Sequence, residues 1–396
     1  MVDLSVSIAG VDFKNPVIVG SGTPTKSYEN MVKCIEAGAG GVVAKTVTYD
    51  LLQQVQPRPR FNLIHPKRIF TDEFFSLYSI ELMSELKPEE WVKEIKRTKE
   101  VAREHKSILI ASIAGRNYDE WEKLAKMMED AGADMIELNL SCPHVEPSEE
   151  ALMGRVAGAD PLISEKIVRA VKKAVSIPVI GKLTPDGADP LAVAQGMIRG
   201  GVDAVVATAR FQGLLIDTKS ASPPMWGGFG GYGGPWMVPL GCKWIAKMRQ
   251  GGIKIPIFGS GGIMSFDDVK KFILVGANAI QICTSVIVKG YGLITEIIND
   301  IEKWMGEEKI EKITALSGAA LKNIVPFDKL DRKSVYKSKV DLIKCIGCGR
   351  CVDSCFYHAI KLVEKKAFVD IEKCESCGMC RAICPVDAIT LEKIYQ

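Results

Sequence analysis

The chain has 396 residues, 47% apolar and 25% charged, which is long enough for two domains and too ordinary in composition for disorder. A formal charge of +3 is too weak a bias to point to nucleic acid or an anionic membrane. No apolar run approaches the roughly 20 residues that cross a bilayer, and MVDLSVSIAG lacks the basic start and apolar core of a secretory signal, so a cytoplasmic protein is expected.

From the N-terminus, LSVSIAG and VDFKNP read as a small hairpin closing the bottom of the fold that follows. Eight short β-branched runs then alternate with amphipathic stretches: 16–22, 41–47, 108–115, 135–141, 178–184, 204–210, 255–262 and 279–285. Eight parallel strands with crossover helices predict an α/β chain folded as a (β/α)₈ TIM barrel over residues 1–315, and a doubly wound open sheet is the less favoured alternative. Two connections are unusually long, from Tyr49 to about Leu86 after strand 2 and the Gly-rich SPPMWGGFGGYGGPWM after strand 6, and such loops usually carry function. GFGGYGG has no strand immediately before it, so it is not a dinucleotide fingerprint.

In a barrel of this type the chemistry sits at the C-terminal ends of the strands. The polar residues and glycines there include Ser21, Gly22, Lys45, Thr46, Asn139, Cys142, Lys182, Thr208, Arg210, Gly261, Gly262, Thr284 and Ser285. GSGG of strand 7 and CTS of strand 8 place bare backbone N–H groups around a dianion, which points to a phosphate-bearing ligand. Lys45 and Lys182, at the ends of different strands, need anionic partners.

A charged linker is expected over 316–340, followed by a small module at 341–396. Of twelve cysteines, Cys34, Cys142, Cys242 and Cys283 are scattered, and eight crowd between Cys345 and Cys384. CIGCGRCVDSC and CESCGMCRAICP give C-x₂-C-x₂-C-x₃-C twice, the second copy starting 29 residues after the first. In such runs three thiolates hold one cluster and the fourth comes from the other run. The expected ligands are Cys345, Cys348, Cys351 and Cys384 for cluster one, and Cys374, Cys377, Cys380 and Cys355 for cluster two, in a bacterial-type 2[4Fe–4S] ferredoxin-like domain. Pro385 follows the last ligand as that pattern requires, while Phe356 holds the matching place in the first run. Zinc, which takes four ligands per ion and commonly uses separated C-x₂-C pairs, is disfavoured by two interlocked runs of four.

KTVT at 45–48, SIELMSE at 79–85, ELNLSCPH at 137–144, KLTPD at 182–186 and GSGGI at 259–263 resemble the dihydroorotate/dihydropyrimidine dehydrogenase superfamily. With the eight-cysteine tail, nearly the whole chain is most similar to the FMN/iron–sulfur subunits of bacterial NAD-dependent dihydropyrimidine dehydrogenases. The resemblance implies an FMN-dependent oxidoreductase acting on a CH–CH/C=C couple. It implies FMN contacts from Ser21, Gly22, Lys45, Thr46, Asn139, Lys182 and Thr208, and a phosphate cradle of Gly234, Gly261, Gly262, Thr284 and Ser285. It makes Cys142 the catalytic acid–base. The other scattered cysteines are read as core, and His144 as structural. A homo-oligomer is implied, and electrons are expected to come from a separate FAD/NAD(P)H-binding reductase subunit or a soluble ferredoxin.

The chain departs from the pyrimidine-binding pattern at three positions: Ser79 and Ala209 stand where asparagines would hold the substrate ring, and Arg210 replaces a threonine. Glu81 and Asn139 remain. Ser79, Glu81, Asn139 and Arg210 are the expected substrate residues, and the exchange of amides for a guanidinium favours an anionic substrate over plain uracil. The alternatives are an electron-transfer subunit of a larger redox complex without its own substrate, and a non-flavin phosphate-binding barrel.

Overall fold

The computed structural model describes residues 2–65, 74–142, 144, 152–224 and 228–394, with only the backbone of Arg155. The chain divides into two compact units, Met1–Asn323 and Ile324–Gln396.

In the first unit eight parallel strands close a barrel in sequence order: Val17–Val19, Gly41–Val47, Ile108–Ile113, Met135–Asn139, Val179–Lys182, Ala204–Val206, Ile257–Ser260 and Ala279–Ile282. Closure is made where Val17 pairs with Ile280. All seven residues of Gly41–Val47, and Leu109–Ile113 beside them, are buried, as parallel strands under crossover helices must be. The helices follow their sequence signals. Pro88–Glu104 starts with Pro at its first position, and the Glu90 carboxylate accepts from the Lys87 amide at 3.0 Å. It buries Trp91, Ile95, Thr98 and Ala102 on one stripe. The hairpin Val6–Ile8/Val11–Phe13 is antiparallel, with Ile8 and Phe13 fully buried.

The two long insertions form an element that local pattern does not announce. Phe61–Ile64 and Ser76–Ser79, from the insertion after strand 2, join Phe211–Gly213 and Gly230–Gly233, from the one after strand 6, in a four-stranded antiparallel sheet. Its central pairing sets Ser79 opposite Gly231.

The second unit holds two antiparallel strand pairs, Val335–Val340 with Ile389–Ile394 and Ile360–Val363 with Lys366–Val369, and two short helices, Arg350–Asp353 and Met379–Ala382. Its buried cluster consists of cysteines and the small apolar residues Ile360, Ala367, Ala388 and Ile389. The expected linker at 316–340 is therefore shorter than its composition indicates. Residues up to Asn323 belong to the barrel unit, where the Gly318 and Ala320 amides donate to the Ile273 and Leu274 carbonyls. Val335–Val340 belongs to the cysteine module because its backbone groups pair with the last strand. High charge does not make this segment a linker: a strand at the edge of a small module can alternate lysines with inward residues and still be a strand.

Candidate active site

The barrel mouth opens into a cavity of about 1060 Å³ counted out to solvent, lined from the ends of seven of the eight strands and from both insertions. Ser21, Lys45, Thr46, Glu81, Asn139, Cys142, Lys182, Arg210, Gly234, Gly261, Gly262, Thr284 and Ser285 all line it. Of the other residues singled out by sequence, Gly22 is buried behind the cavity-lining Cys283, and a Cβ there would run into the Cys283 sulfur. The Thr208 hydroxyl donates to the Ser260 carbonyl at 2.8 Å and so braces the strand 7 turn. Ser79 is fully buried behind Arg210.

Three polar groupings organise the floor. Thr46 Oγ1 lies 3.2 Å from Ser21 Oγ and 2.9 Å from Ser112 Oγ, and it accepts from Asn139 Nδ2 at 3.0 Å. Asn139 Oδ1 accepts from the Ser141 amide and hydroxyl at 3.3 and 3.0 Å, so its carboxamide has one orientation. Lys45 Nζ donates to Glu81 Oε1 at 2.8 Å, with both side chains buried, and Thr23 Oγ1 donates to the same oxygen at 2.7 Å. Burial pushes the Glu81 carboxyl up, but Lys45 and Arg210 outweigh it and bring the group down to about 2. Lys182 Nζ lies 3.0 Å from Gln281 Oε1 and 3.4 Å from Glu137 Oε1, and Gln281 Nε2 donates to Glu137 Oε2 at 2.7 Å. The anionic partners that the two lysines require are thus supplied by the chain itself.

Glu137 and Gln281 are functional-site residues that sequence reasoning passed over. The signal was present: a fully buried carboxylate two residues before Asn139 on the same strand points into the barrel beside Lys182. Cys283 is a second correction, because it lines the cavity instead of packing in the core; burial pushes its thiol up to about 12, so it stays protonated.

Cys142 sits on the loop after strand 4, 6% exposed and facing the cavity. Burial raises its thiol above the ordinary range, opposed by the His144 amide and by the charges of Arg210 and Lys45. His144 is pushed down to about 3 by burial and by Arg210 and Lys45, so it is neutral at physiological pH. Its Nε2 and the Oε1 of Gln53, whose Nε2 donates to the His144 carbonyl at 3.3 Å, are buried without partners among the described residues. Pro143 and residues 145–151 of this loop lie outside the described residues.

The two positions that depart from the pyrimidine-binding pattern touch each other. Arg210 Nη1 donates to Ser79 Oγ, and the guanidinium lies over Gly231, where a Cβ would fall 2.7 Å from its Cζ. Any side chain at position 231 would displace the arginine. Lys45, Glu81 and Arg210 together leave one positive charge on this side of the cavity.

At the opposite end the backbone is bare. Gly261 and Gly262 have φ of +103° and +79°, and a Cβ on Gly262 would lie 2.5 Å from the Gly234 carbonyl oxygen. Beside them the Ser285 hydroxyl is buried without a partner among the described residues. A crowded glycine turn with an unsatisfied donor fits a phosphate.

In the second unit, Cys345, Cys348, Cys351 and Cys384 line one gap of about 340 Å³ counted out to solvent. The Ala367, Ala359 and Ala388 amides donate to Cys345, Cys355 and Cys384 sulfurs at 3.4, 3.3 and 3.2 Å. Among the described residues no three His, Cys, Asp or Glu side chains converge to hold a single metal ion. Four thiols around a gap, with backbone N–H groups aimed at sulfur, suit a polynuclear cluster better than one zinc. All twelve cysteines are free.

Comparison with known proteins gives the family. Residues 3–305 match the Dihydroorotate dehydrogenase family and residues 344–388 the 4Fe-4S dicluster domain. The chain is 33% identical to the NAD-dependent dihydropyrimidine dehydrogenase subunit PreA of Escherichia coli over 361 residues, 89% of this chain and 85% of that one. It is 31% identical to the dihydroorotate dehydrogenase B (NAD(+)) catalytic subunit of Methanocaldococcus jannaschii, covering 78% of this chain and 95% of the relative. It is 30% identical to the chloroplastic dihydropyrimidine dehydrogenase (NADP(+)) of Arabidopsis thaliana, covering 81% and 77%. With its barrel, its cavity and its cysteine module accounted for, the chain belongs to the dihydroorotate dehydrogenase family of oxidoreductases acting on CH–CH groups, extended by a 4Fe-4S dicluster domain.

Proposed function

We propose that the chain binds FMN in the barrel cavity and two [4Fe–4S] clusters in its second unit, and interconverts CH–CH and C=C bonds in a small anionic substrate. The observation that carries this is the meeting, in one cavity, of a buried thiol, an oriented carboxamide, a net positive charge and a bare glycine turn with an unsatisfied hydroxyl. FMN, when bound, supplies hydride exchange with one carbon of the couple. Gly234, Gly261, Gly262, Thr284 and Ser285 would hold its phosphate, with Thr208 bracing the turn. Ser21, Gly22, Lys45, Thr46, Asn139 and Lys182 would hold its ring. Cys142 moves a proton between its Sγ and the neighbouring carbon of the substrate. Lys182, fixed by Glu137 and Gln281, offers a cation to negative charge developing beside it. Gly262→Ala is expected to purify with at least about tenfold less bound flavin, read from visible absorbance, because a left-handed residue gains a Cβ against the Gly234 carbonyl.

The substrate class rests on the Ser79–Arg210–Gly231 contact and the surplus positive charge beside it. Without the two amides, a uracil edge leaves polar groups unpaired at about 1–3 kcal/mol each. Purified anaerobically and given reduced mediators, the protein is expected to turn over a carboxylated pyrimidine such as orotate in preference to uracil or thymine. Arg210→Ala should raise KM for the carboxylate by roughly 10- to 150-fold, the loss of one charge-assisted pair. Uracil turnover at the rate of the carboxylate would overturn this assignment.

Single electrons would reach the barrel from a separate FAD/NAD(P)H-binding reductase subunit or a soluble ferredoxin. Two findings support this: one relative is itself named as a subunit of an NAD-dependent enzyme, and the chain carries no dinucleotide fingerprint. Homo-oligomeric assembly and a reducing, cytoplasmic setting complete the proposal. Ala209, apolar where the family pattern has an amide, favours the second reading of a relay without substrate, which loss of Cys142 tests below.

A further inference from the structure

The cysteine module repeats every 29 residues, so each half is a control for the other. Lys337 Nζ donates to the Cys374 carbonyl at 2.6 Å, and Lys366 Nζ donates to the Cys345 carbonyl at 2.6 Å. Asp341 Oδ1 accepts from the Ile343 amide, and Asp370 Oδ1 from the Glu372 amide. Gly349 and Gly378 share a φ of 78°, and His358 and Asp387 repeat at 51° and 48°.

The repeat breaks at one buried pair. Ser338 and Ala367 occupy equivalent places on equivalent strands and are 7% and 3% exposed. The Ala367 amide donates to the Cys345 sulfur, and its methyl adds nothing polar. Ser338 Oγ lies 3.1 Å from the Cys380 sulfur and 3.9 Å from that of Cys374. An iron-bound thiolate can only accept, so the hydroxyl is the donor.

We infer that the Ser338 hydroxyl hydrogen-bonds the Cys380 thiolate of the second cluster and holds that cluster's reduction potential above the value that an alanine there would give. The inference rests on the two-cluster reading above. Reduction adds one electron, [4Fe–4S]²⁺ to [4Fe–4S]⁺, and the charge spreads onto the sulfurs. A donor aimed at sulfur therefore stabilises the reduced form more than the oxidised one, and burial keeps water from diluting the effect. Exposed charges act the other way: Glu372 and Glu375 stand on the second half where the first has Ile343 and Ile346, and Arg350 on the first where the second has Met379. These groups are solvated and lose reach in salt, where the screening length shrinks to about 3 Å at 1 M. The buried hydroxyl does not.

The test is a potentiometric titration of the full chain, loaded anaerobically with iron and sulfide, in about 1 M salt, following the EPR of reduced clusters. Wild type should show two one-electron steps. Ser338→Ala should move one step to lower potential, reducing that cluster's reduced-to-oxidised ratio at fixed poise by several-fold to about tenfold, ~59 mV at the upper end. Ala367→Ser, which installs the hydroxyl in the other half, should move the other step upward. Two intact steps that neither substitution shifts would overturn the inference. A wild-type chain that takes up iron for fewer than two clusters would instead bring down the two-cluster reading itself.

Discussion

Cys142→Ala is expected to lose turnover by two to four orders of magnitude while keeping its flavin and cluster absorbance, the loss usual for a positioned proton donor. Cys142 faces the cavity from the loop after strand 4, in the same lining as the oriented Asn139 carboxamide, and it is not among the residues proposed to hold the phosphate. The direction of its shift makes the prediction sharper. A thiol raised by burial remains protonated through neutrality, so it is ready to donate in the reducing direction. The kcat/KM for reduction should be flat across neutral pH and fall only above the ordinary thiol range near about 8.5. Oxidation of the CH–CH form, which needs the thiolate, should rise with pH over the same range. Both limbs should vanish in the alanine variant. A relay without substrate of its own would keep full electron flux in that variant, and this result would remove the enzyme reading of the cavity.

Glu81→Gln should lower stability near neutral pH by about 3 kcal/mol, because the carboxyl sits at about 2 against its ordinary 4.5. A carboxylate depressed on folding stabilises the protein above its open-chain value and loses that contribution as pH falls through the folded one. The wild type should therefore lose this increment between about pH 4.5 and 2, and the glutamine variant, having no charge to titrate, should not. Denaturant midpoints at neutral pH and near pH 3 test it. The substitution leaves Lys45 as an unpaired buried cation, and removing both charges together in Lys45→Met/Glu81→Leu should recover most of the loss. If the single and double variants are equally destabilised, the ion pair is not the source of the effect.

How much of this was legible in the sequence depends on the range over which each feature is decided. Gly41–Val47 is a strand wherever its neighbours lie, since seven consecutive buried residues rich in valine suit only a parallel sheet covered on both faces. The gap lined by Cys345, Cys348, Cys351 and Cys384 follows from C-x₂-C-x₂-C-x₃-C, because a turn of that length has few ways to point three sulfurs inward. Arg210, Lys45 and Cys142 could be placed at the cavity because strand ends in a barrel share one rim.

The partners of those groups could not be read the same way. Lys45 finds Glu81 across an insertion, Lys182 finds Gln281 from 99 residues away, and Arg210 finds Ser79 from 131. Spacing says that a buried cation needs an anion; it does not say which one reaches it. The four-stranded sheet built from two glycine-rich or irregular insertions has the same origin, since antiparallel register between segments so distant is set by the barrel that carries both. Periodicity and cysteine spacing are local properties, and the sequence alone determined the barrel, the two cysteine runs and the place of Cys142 at the cavity. Charge pairing, the reach of Arg210 over Gly231 and the placing of the Ser338 hydroxyl against the Cys380 sulfur depend on distances between remote backbones, and only the tertiary structure decided them.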